Sequence, residues 1–409
     1  MMTSKPRILV VTHQFTPHVS PRTTRWSILC EELSSRGYEV HVITGTRQNG
    51  NENKNYQVQY LGSDRLGSLI ESTRRASSKS EENNIIKKLF FFIAKRIYRL
   101  IYRVFAWPDY SMLWYFSVRM KIKNIPDYDL LISVSLPFTS HLVAYTLNKK
   151  RGTRWIMDIG DPFYLKKDAP ENNKYLYSYL NKYFENKFYK HASKVVFTHK
   201  ESMEHHKKTF DTLNQKSSLL PPVFHAKINK KTNNFNYKKT PVKVAYFGVL
   251  TIGVRTPDNF LSFINALDMN NIEIHWYTNE DSKHMIKSVY SKSSKNFFHD
   301  MVPRDEALDL MDNEYHALLN IGNQNPFQLP SKVIEYISTG KPIIHYSEIT
   351  DDPVVGVLNE RSNSIIINRN TNPEQAKKEF KEKMFSDKSI SSVENFNSVS
   401  VVNELLKLI

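Results

Sequence analysis

The 409-residue sequence has a single cysteine, Cys30, so no disulfide can close within the chain and a reducing compartment is the expected setting. Cys30 falls among apolar residues in a helical pattern, which suits a core position better than a nucleophile. No apolar run approaches the ~20 residues that a membrane span requires. The opening MMTSKPRILVVTHQF lacks the apolar stretch of an export signal and passes straight into a strand pattern. A cytoplasmic protein that neither crosses a membrane nor leaves by that route is expected. P-loop, HExxH, paired CxxC and GxSxG patterns are absent, and no His, Cys and acid cluster has metal-ligand spacing. A GxGxxG fingerprint is missing too, which argues against a dinucleotide dehydrogenase. Acidic residues are the minority, 41 against 57 Lys and Arg, giving a net charge of +16. Such a balance suits an anionic partner: a nucleotide, a nucleic acid or an acidic lipid surface. No RNA- or DNA-binding motif accompanies it, and nucleic acid is not expected as a partner.

What is present is a double run of strand–helix alternation. Arg7–Thr12 (RILVVT) reads as a buried parallel strand, 13–20 as a polar loop, Pro21–Arg36 as a helix and Tyr38–Thr44 as the next strand. Further strands are expected at Tyr56–Leu61, Asp129–Ser135, Arg154–Ile159 and Lys194–Thr198, with helices at Thr139–Lys149 and Tyr175–His191. The alternation restarts at Val242–Phe247. Strands at Glu273–Thr278, Asn296–Phe298, His316–Ile321 and Pro342–Tyr346 follow, separated by helices at Pro257–Leu267, Arg304–Met311 and Pro330–Thr339. A terminal helix is read at Val393–Leu408. Residues 226–240, basic and rich in Asn, read as a linker, so domains at 1–225 and 241–409 are expected.

Two segments stand outside that alternation. Residues 63–84 are polar and weakly patterned, and read as an excursion. Residues 85–107 (IIKKLFFFIAKRIYRLIYRVFAW) place Leu89, Ile93, Ile97, Leu100 and Val104 on one helical face. Lys88, Lys95, Arg99 and Arg103 lie on another, with no acid between Lys87 and Trp107. A basic amphipathic helix of this kind fits an anionic membrane interface, and equally a helix packed on the N-terminal sheet.

In open parallel sheets ligands bind beyond the carboxyl ends of the strands, which directs attention to the loops there. The segment at 320–346, NIGNQNPFQLPSKVIEYISTGKPIIHY, is the most informative. It reads as strand, polar loop, helix and strand, the helix opening at Pro330 and closing at Gly340. Free N–H groups at a helix start attract phosphate. Ser331 and Lys332 add a hydroxyl and a cation, and Glu335 one turn on could accept two hydrogen bonds from a vicinal diol such as a ribose. An ordinary capped amphipathic helix would show the same spacing. After the strand at 242–247 the sequence FGVLTIGVRTPDNFL supplies Gly248 and Gly253 for a tight loop and Arg255 as a second cation. In the first half, Asp158 and Asp161 lie at the end of the strand 154–159, either to serve an acceptor or to cap the next helix. His13, Arg22 and Arg25 belong to the first loop and helix start. They could meet an anionic ligand, although Arg22 and Arg25 could equally be solvated helix residues.

The run QLPSKVIEYISTGKPII resembles the signature of bacterial family 4 glycosyltransferases, which have the GT-B fold: two Rossmann-like domains facing across a cleft. The resemblance extends over most of the chain and is weakest over 45–105. It implies a retaining, metal-independent hexosyltransferase that moves a sugar from a nucleotide-sugar donor to an acceptor hydroxyl. The nucleotide sugar would be a substrate, and no cofactor is implied. Glu335 matches the glutamate that holds the ribose, and Arg255 the basic residue that binds the diphosphate. Gly248, Ser331 and Lys332 complete that side, and Arg255 and Lys332 would stabilise the leaving group. The partner glutamate, eight residues earlier, is replaced by Phe327, which leaves Asn323, Asn325 and Gln328 as donor-sugar candidates. The usual Gly-Gly pair of the first loop is replaced by HVSPRTTRW, with His13 and Arg22 on the acceptor side. WIMDIGDPF is similar to the family's acceptor-side loop, where Asp158 or Asp161 would orient the acceptor hydroxyl or take its proton. A lipid-linked saccharide of surface polysaccharide (capsule or O-antigen) synthesis is the expected acceptor, reached from the inner face of the membrane. A nucleotide-sugar 2-epimerase of the same fold, and a non-enzymatic nucleic-acid binder, are the rival expectations.

Overall fold

The computed structural model describes residues 5–18, 20–47, 55–62, 104–166, 170–223, 241–267, 271–289, 295–359, 361–384 and 393–409. The expected excursion at 63–84, the greater part of the basic segment at 85–107 and the linker at 226–240 lie outside these residues. The chain divides into two compact units. One comprises Met1–Thr198, Met203–Leu220 and Val402–Ile409; the other comprises His199–Ser202 and Pro221–Val401.

The first unit holds a seven-stranded parallel sheet in the order β3-β2-β1-β4-β5-β6-β7. Its strands are β1 (Ile8–Val11), β2 (Val40–Thr44), β3 (Gln57–Tyr60), β4 (Leu130–Ser135), β5 (Arg154–Ile159), β6 (Lys194–Phe197) and β7 (Ser217–Leu219). Every residue of β1 and β4 is buried, as continuous apolar runs covered on both faces should be. Helix α1 (Pro21–Ser35) begins with Ser20 accepting from the Thr23 N–H at 3.2 Å and with Pro at its first position, both favoured starts. Among the described residues, helices α2 (Met112–Met120), α3 (Thr139–Arg151), α4 (Lys174–His191) and α5 (Lys200–Thr209) follow in sequence order. Leu131, Met157 and Val195 pack in one core with Trp114, Val143 and Phe188. Each large apolar side chain so buried contributes roughly 1.5–3 kcal/mol.

The second unit holds a six-stranded parallel sheet in the order β10-β9-β8-β11-β12-β13. The strands are β8 (Val242–Phe247), β9 (Ile272–Tyr277), β10 (Lys295–His299), β11 (Ala317–Ile321), β12 (Ile343–Tyr346) and β13 (Ser364–Ile367). The crossovers are α6 (Asp258–Ala266), α7 (Glu280–Val289), α8 (Arg304–Asn313), α9 (Ser331–Ser338) and α10 (Pro353–Leu358); α11 (Pro373–Met384) and α12 (Ser398–Lys407) close the chain. From β8 the order runs outward one way to β10 and, after β11, the other way to β13. The neighbouring strands β8 and β11 are therefore the switch point, where such sheets bind ligands.

One expectation changes. The terminal helix is not continuous from Val393: a short 3-10 turn at Val393–Phe396 precedes α12, and Asn397 accepts from the Ser400 N–H at 2.7 Å to start it. His299 is the last residue of β10, its ring stacked 4.4 Å from that of Tyr277. Asp352 is buried and caps α10 by accepting from the Val354 N–H at 2.9 Å. Among the described residues no helix is long and apolar enough to cross a membrane.

Candidate functional site

The switch point of the second unit is lined by the two loops that follow β8 and β11. Phe247 ends β8, and its N–H donates to the Tyr336 hydroxyl of α9 at 2.9 Å. This bond ties the strand end to the second turn of α9. Gly248 then takes φ +132°, a conformation that L side chains rarely adopt. A Cβ built there would stand 3.6 Å from Lys332 Nζ, an ordinary contact, so backbone conformation rather than space favours glycine. The chain returns at Arg255, which pairs with Thr251 in an isolated bridge.

Val254 and Arg255 each make one bond to the 322–328 loop. The guanidinium donates to Asn323 Oδ1 at 2.6 Å, and the Gln324 N–H donates to the Val254 carbonyl at 2.8 Å. Asn323 is buried, and its amide nitrogen lies 3.4 Å from the Gln328 carbonyl. Asn325 accepts from the Phe327 N–H at 3.3 Å. In this structure Asn323 and Asn325 thus shape the loop itself.

Lys332 is the least compensated charge here. Its Nζ is buried with no hydrogen-bond partner and lies 3.8 Å above the centre of the Tyr246 ring. Burial holds its pKa well below the ordinary lysine value, and the positive charge of Arg255 lowers it further. Arg255 Nε is likewise buried and unpaired. Helix α9 starts at Pro330 with no side-chain cap, and Ser331 is exposed in its first turn. Glu335, one turn on, accepts from Arg304 Nε at 2.7 Å, both side chains partly exposed. Arg304, the first residue of α8, thus supplies a charged partner to this helix.

Beneath the 322–328 loop lies a buried polar chain. Asn320 Nδ2 donates to His345 Nδ1 at 2.8 Å, which leaves Nε2–H to donate to Asp352 Oδ2 at 3.1 Å. Gly322 sits directly over it: a Cβ there would fall 2.3 Å from Asp352 Oδ2 and 3.1 Å from the Tyr346 carbonyl. Tyr246, Arg304, Tyr336, His345 and Asp352 were not singled out as site residues in the sequence. No local spacing marks them, because each acts on a partner in another element.

The acceptor-side candidates occupy the first unit. Asp158 and Asp161 turn out to have different surroundings. The side chain of Asp158 is 1% exposed, and its Oδ2 accepts from Arg25 NH1 and from Trp26 Nε1, both at 2.5 Å. Arg25 also donates to the Leu220 carbonyl at 2.8 Å, so it is not a solvated helix residue. Asp161 is only partly buried and pairs with Arg22 at 2.5 Å, while Arg22 NH1 donates to the Leu136 carbonyl at 2.6 Å. The His13 ring makes edge contacts with Tyr110 and Trp114, centroids 5.7 and 5.3 Å away. Burial pushes its pKa down to about 4, so near neutral pH the ring is a neutral imidazole rather than a cation. Among the described residues no group of three or more His, Cys, Asp or Glu could hold a metal ion.

The architecture is GT-B, two parallel-sheet α/β domains. Similar solved structures are TarM (TM-score 0.64, 10% identity, 98% of each chain covered) and Anabaena Alr3699/HepE in complex with UDP (0.60, 12%, 98% of each). Sucrose-phosphate synthase from Thermosynechococcus elongatus is another (0.59, 11%, 99% of this chain and 98% of that one). At these identities the likeness is one of fold. No protein-family model and no curated protein sequence matches the chain.

Proposed function

We propose that the protein is a glycosyltransferase of the retaining, metal-independent type, moving a hexose from a nucleotide sugar to an acceptor hydroxyl. One observation carries the reading. At the switch point of the second unit, Lys332 Nζ and Arg255 Nε are buried and unpaired beside the backbone of Gly248 and the uncapped start of α9. Cationic groups whose nitrogen atoms are buried without an anion are unfavourable. A diphosphate with a helix N-terminus behind it is the ligand this set fits. As the bond between the sugar C1 and the diphosphate oxygen breaks, negative charge builds on that oxygen. Arg255 and Lys332 neutralise it. Glu335, held by Arg304, takes the ribose diol, and Ser331 contributes a hydroxyl at the phosphate end. Gln328, with the amides of Asn323 and Asn325, fills the donor-sugar side in place of an acid at Phe327. The likeness to a protein crystallised with UDP and with UDP-glucose supports a nucleotide-sugar donor.

For the acceptor, the reading assigns the first unit. Asp161, more exposed than Asp158, orients the acceptor hydroxyl, and Arg22 and the neutral His13 line the approach. Asp158 acts through Arg25 as a positioning residue. The acceptor class is a lipid-linked saccharide of surface polysaccharide synthesis, used at the cytoplasmic face of a membrane.

Calorimetric titration with UDP, GDP, ADP and their sugars tests the donor reading. A nucleoside diphosphate should bind the wild type and fail on Lys332→Ala and Arg255→Ala. Absence of binding by all of them, or unchanged binding in both variants, would overturn it. Incubation with the donor alone that yields an epimer, with no transfer, would overturn the transferase assignment.

A further inference from the structure

Helix α4 (Lys174–His191) carries an outward face that the donor site does not use. Tyr175, Tyr179 and Tyr183 stand one above another at four-residue spacing, with Leu176 beside them. They are 92%, 83% and 50% exposed, and Leu176 is 58% exposed. Lys174, Lys182 and Lys190 are exposed on the same helix. Its one acid, Glu185, is wholly buried on the opposite side, where it accepts from the Tyr189 hydroxyl at 2.6 Å and the Tyr164 N–H at 3.0 Å. The outer face is therefore aromatic and cationic with no anionic group of its own.

We infer that this face docks on the headgroup region of an anionic lipid bilayer. Tyrosine rings take up the boundary between acyl chains and water, with the hydroxyl left in the wet layer. Lysines flanking them gain from the negative surface potential. Charge decides among the candidate occupants. A second copy of the chain would set lysine against lysine. The sequence 85–103, with Lys87, Lys88, Lys95, Arg96, Arg99 and Arg103 and no acid, would do the same. A nucleic acid would satisfy the lysines, but it offers no apolar layer for Leu176. The bilayer interface satisfies both. The inference is independent of the donor-site reading.

Cys30 is buried and is the one cysteine of the sequence, so Tyr179→Cys creates a single accessible thiol for an environment-sensitive fluorophore. Labelled full-length protein is mixed with vesicles of phosphatidylcholine alone or with added phosphatidylglycerol, at physiological ionic strength. A blue shift with the anionic vesicles is expected, with none for the same label at Met301→Cys, exposed in the second unit. In flotation, Tyr175→Ser/Tyr179→Ser/Tyr183→Ser and, separately, Lys182→Glu/Lys190→Glu should each weaken binding to anionic vesicles about tenfold or more. These exposed substitutions leave the core intact, and unchanged thermal unfolding checks that. The inference fails if the label shows no shift, if both variants float as wild type does, or if neutral vesicles bind equally. It also fails if a single-stranded oligonucleotide binds to this face and anionic vesicles do not displace it.

Discussion

The ammonium of Lys332 lies 3.8 Å above the centre of the Tyr246 ring, buried and without a hydrogen-bond partner. A cation held against an aromatic face keeps part of its lost hydration energy, yet it still lacks an anion. This makes Lys332 the most direct probe of the second unit. Lys332→Ala and Arg255→Ala should each lower kcat by about 100-fold or more, a loss of ~3–4 kcal/mol of transition-state stabilisation. Steady-state kinetics with the donor identified by titration measures it; near-normal kcat in both variants would remove the phosphate assignment.

The same lysine sets a pH dependence. Its folded pKa is depressed by burial and by Arg255, so the empty site holds the extra proton less tightly than an ordinary lysine does. A bound diphosphate favours the ammonium, so binding takes up a proton once the pH exceeds the depressed value. Nucleotide affinity should fall as pH rises through that window, by up to about tenfold per pH unit. Calorimetry in buffers of different ionisation enthalpy would detect the proton, and Lys332→Met should abolish the uptake. The same shift makes the unliganded protein more stable as pH rises, because the unfolded chain binds the extra proton.

The Arg25–Asp158 pair tests the framework of the first unit. Removing one partner of a buried ion pair leaves a charge with no compensation, which costs about 3–5 kcal/mol. Arg25→Ala should destabilise on that scale, shown by a lower urea midpoint. Arg25→Met combined with Asp158→Leu should cost less than either change alone, since no buried charge remains.

Glu185 gives a stability signature in the accessible pH range. Burial raises its carboxyl to about 7, against the hydrogen bonds from Tyr189 and Tyr164 that favour the anion. A raised acid binds its proton more tightly folded than unfolded, so stability is full below the ordinary glutamate range. It is lost as pH climbs toward about 7. Glu185→Gln should flatten this slope and gain roughly 2–3 kcal/mol relative to wild type at pH 8 over its effect at pH 5. Equal thermal shifts at the two pH values would contradict the buried, protonatable carboxyl.

Much of the second sheet can be read locally. VKVAYF at 242–247 and the run ending at Tyr346 are continuous apolar stretches, and both form strands where the pattern puts them. Helices Lys200–Thr209, Glu280–Val289 and Pro373–Met384 are harder to see. They are so rich in Lys, Glu and Asp that their apolar stripes are thin. At the candidate site, the Pro330 start and the Gly248 turn are legible because proline and glycine constrain their own backbone. The burial of Asp158 is not legible. Its partner Arg25 is 133 residues away, and an acid at a strand end looks the same in sequence whether it faces a ligand or an arginine.

By itself, then, the sequence determined the alternation of strands and helices, the placing of cations after β8 and at the start of α9, and the excess of positive charge. These follow from periodicity and local backbone chemistry. Only the tertiary structure decided which charges are paired and which are not. Arg304 neutralises Glu335, Arg25 neutralises Asp158, and Lys332 is left buried against Tyr246 with no anion. Pairing and desolvation depend on what packs around a group, and those neighbours come from elements far apart along the chain.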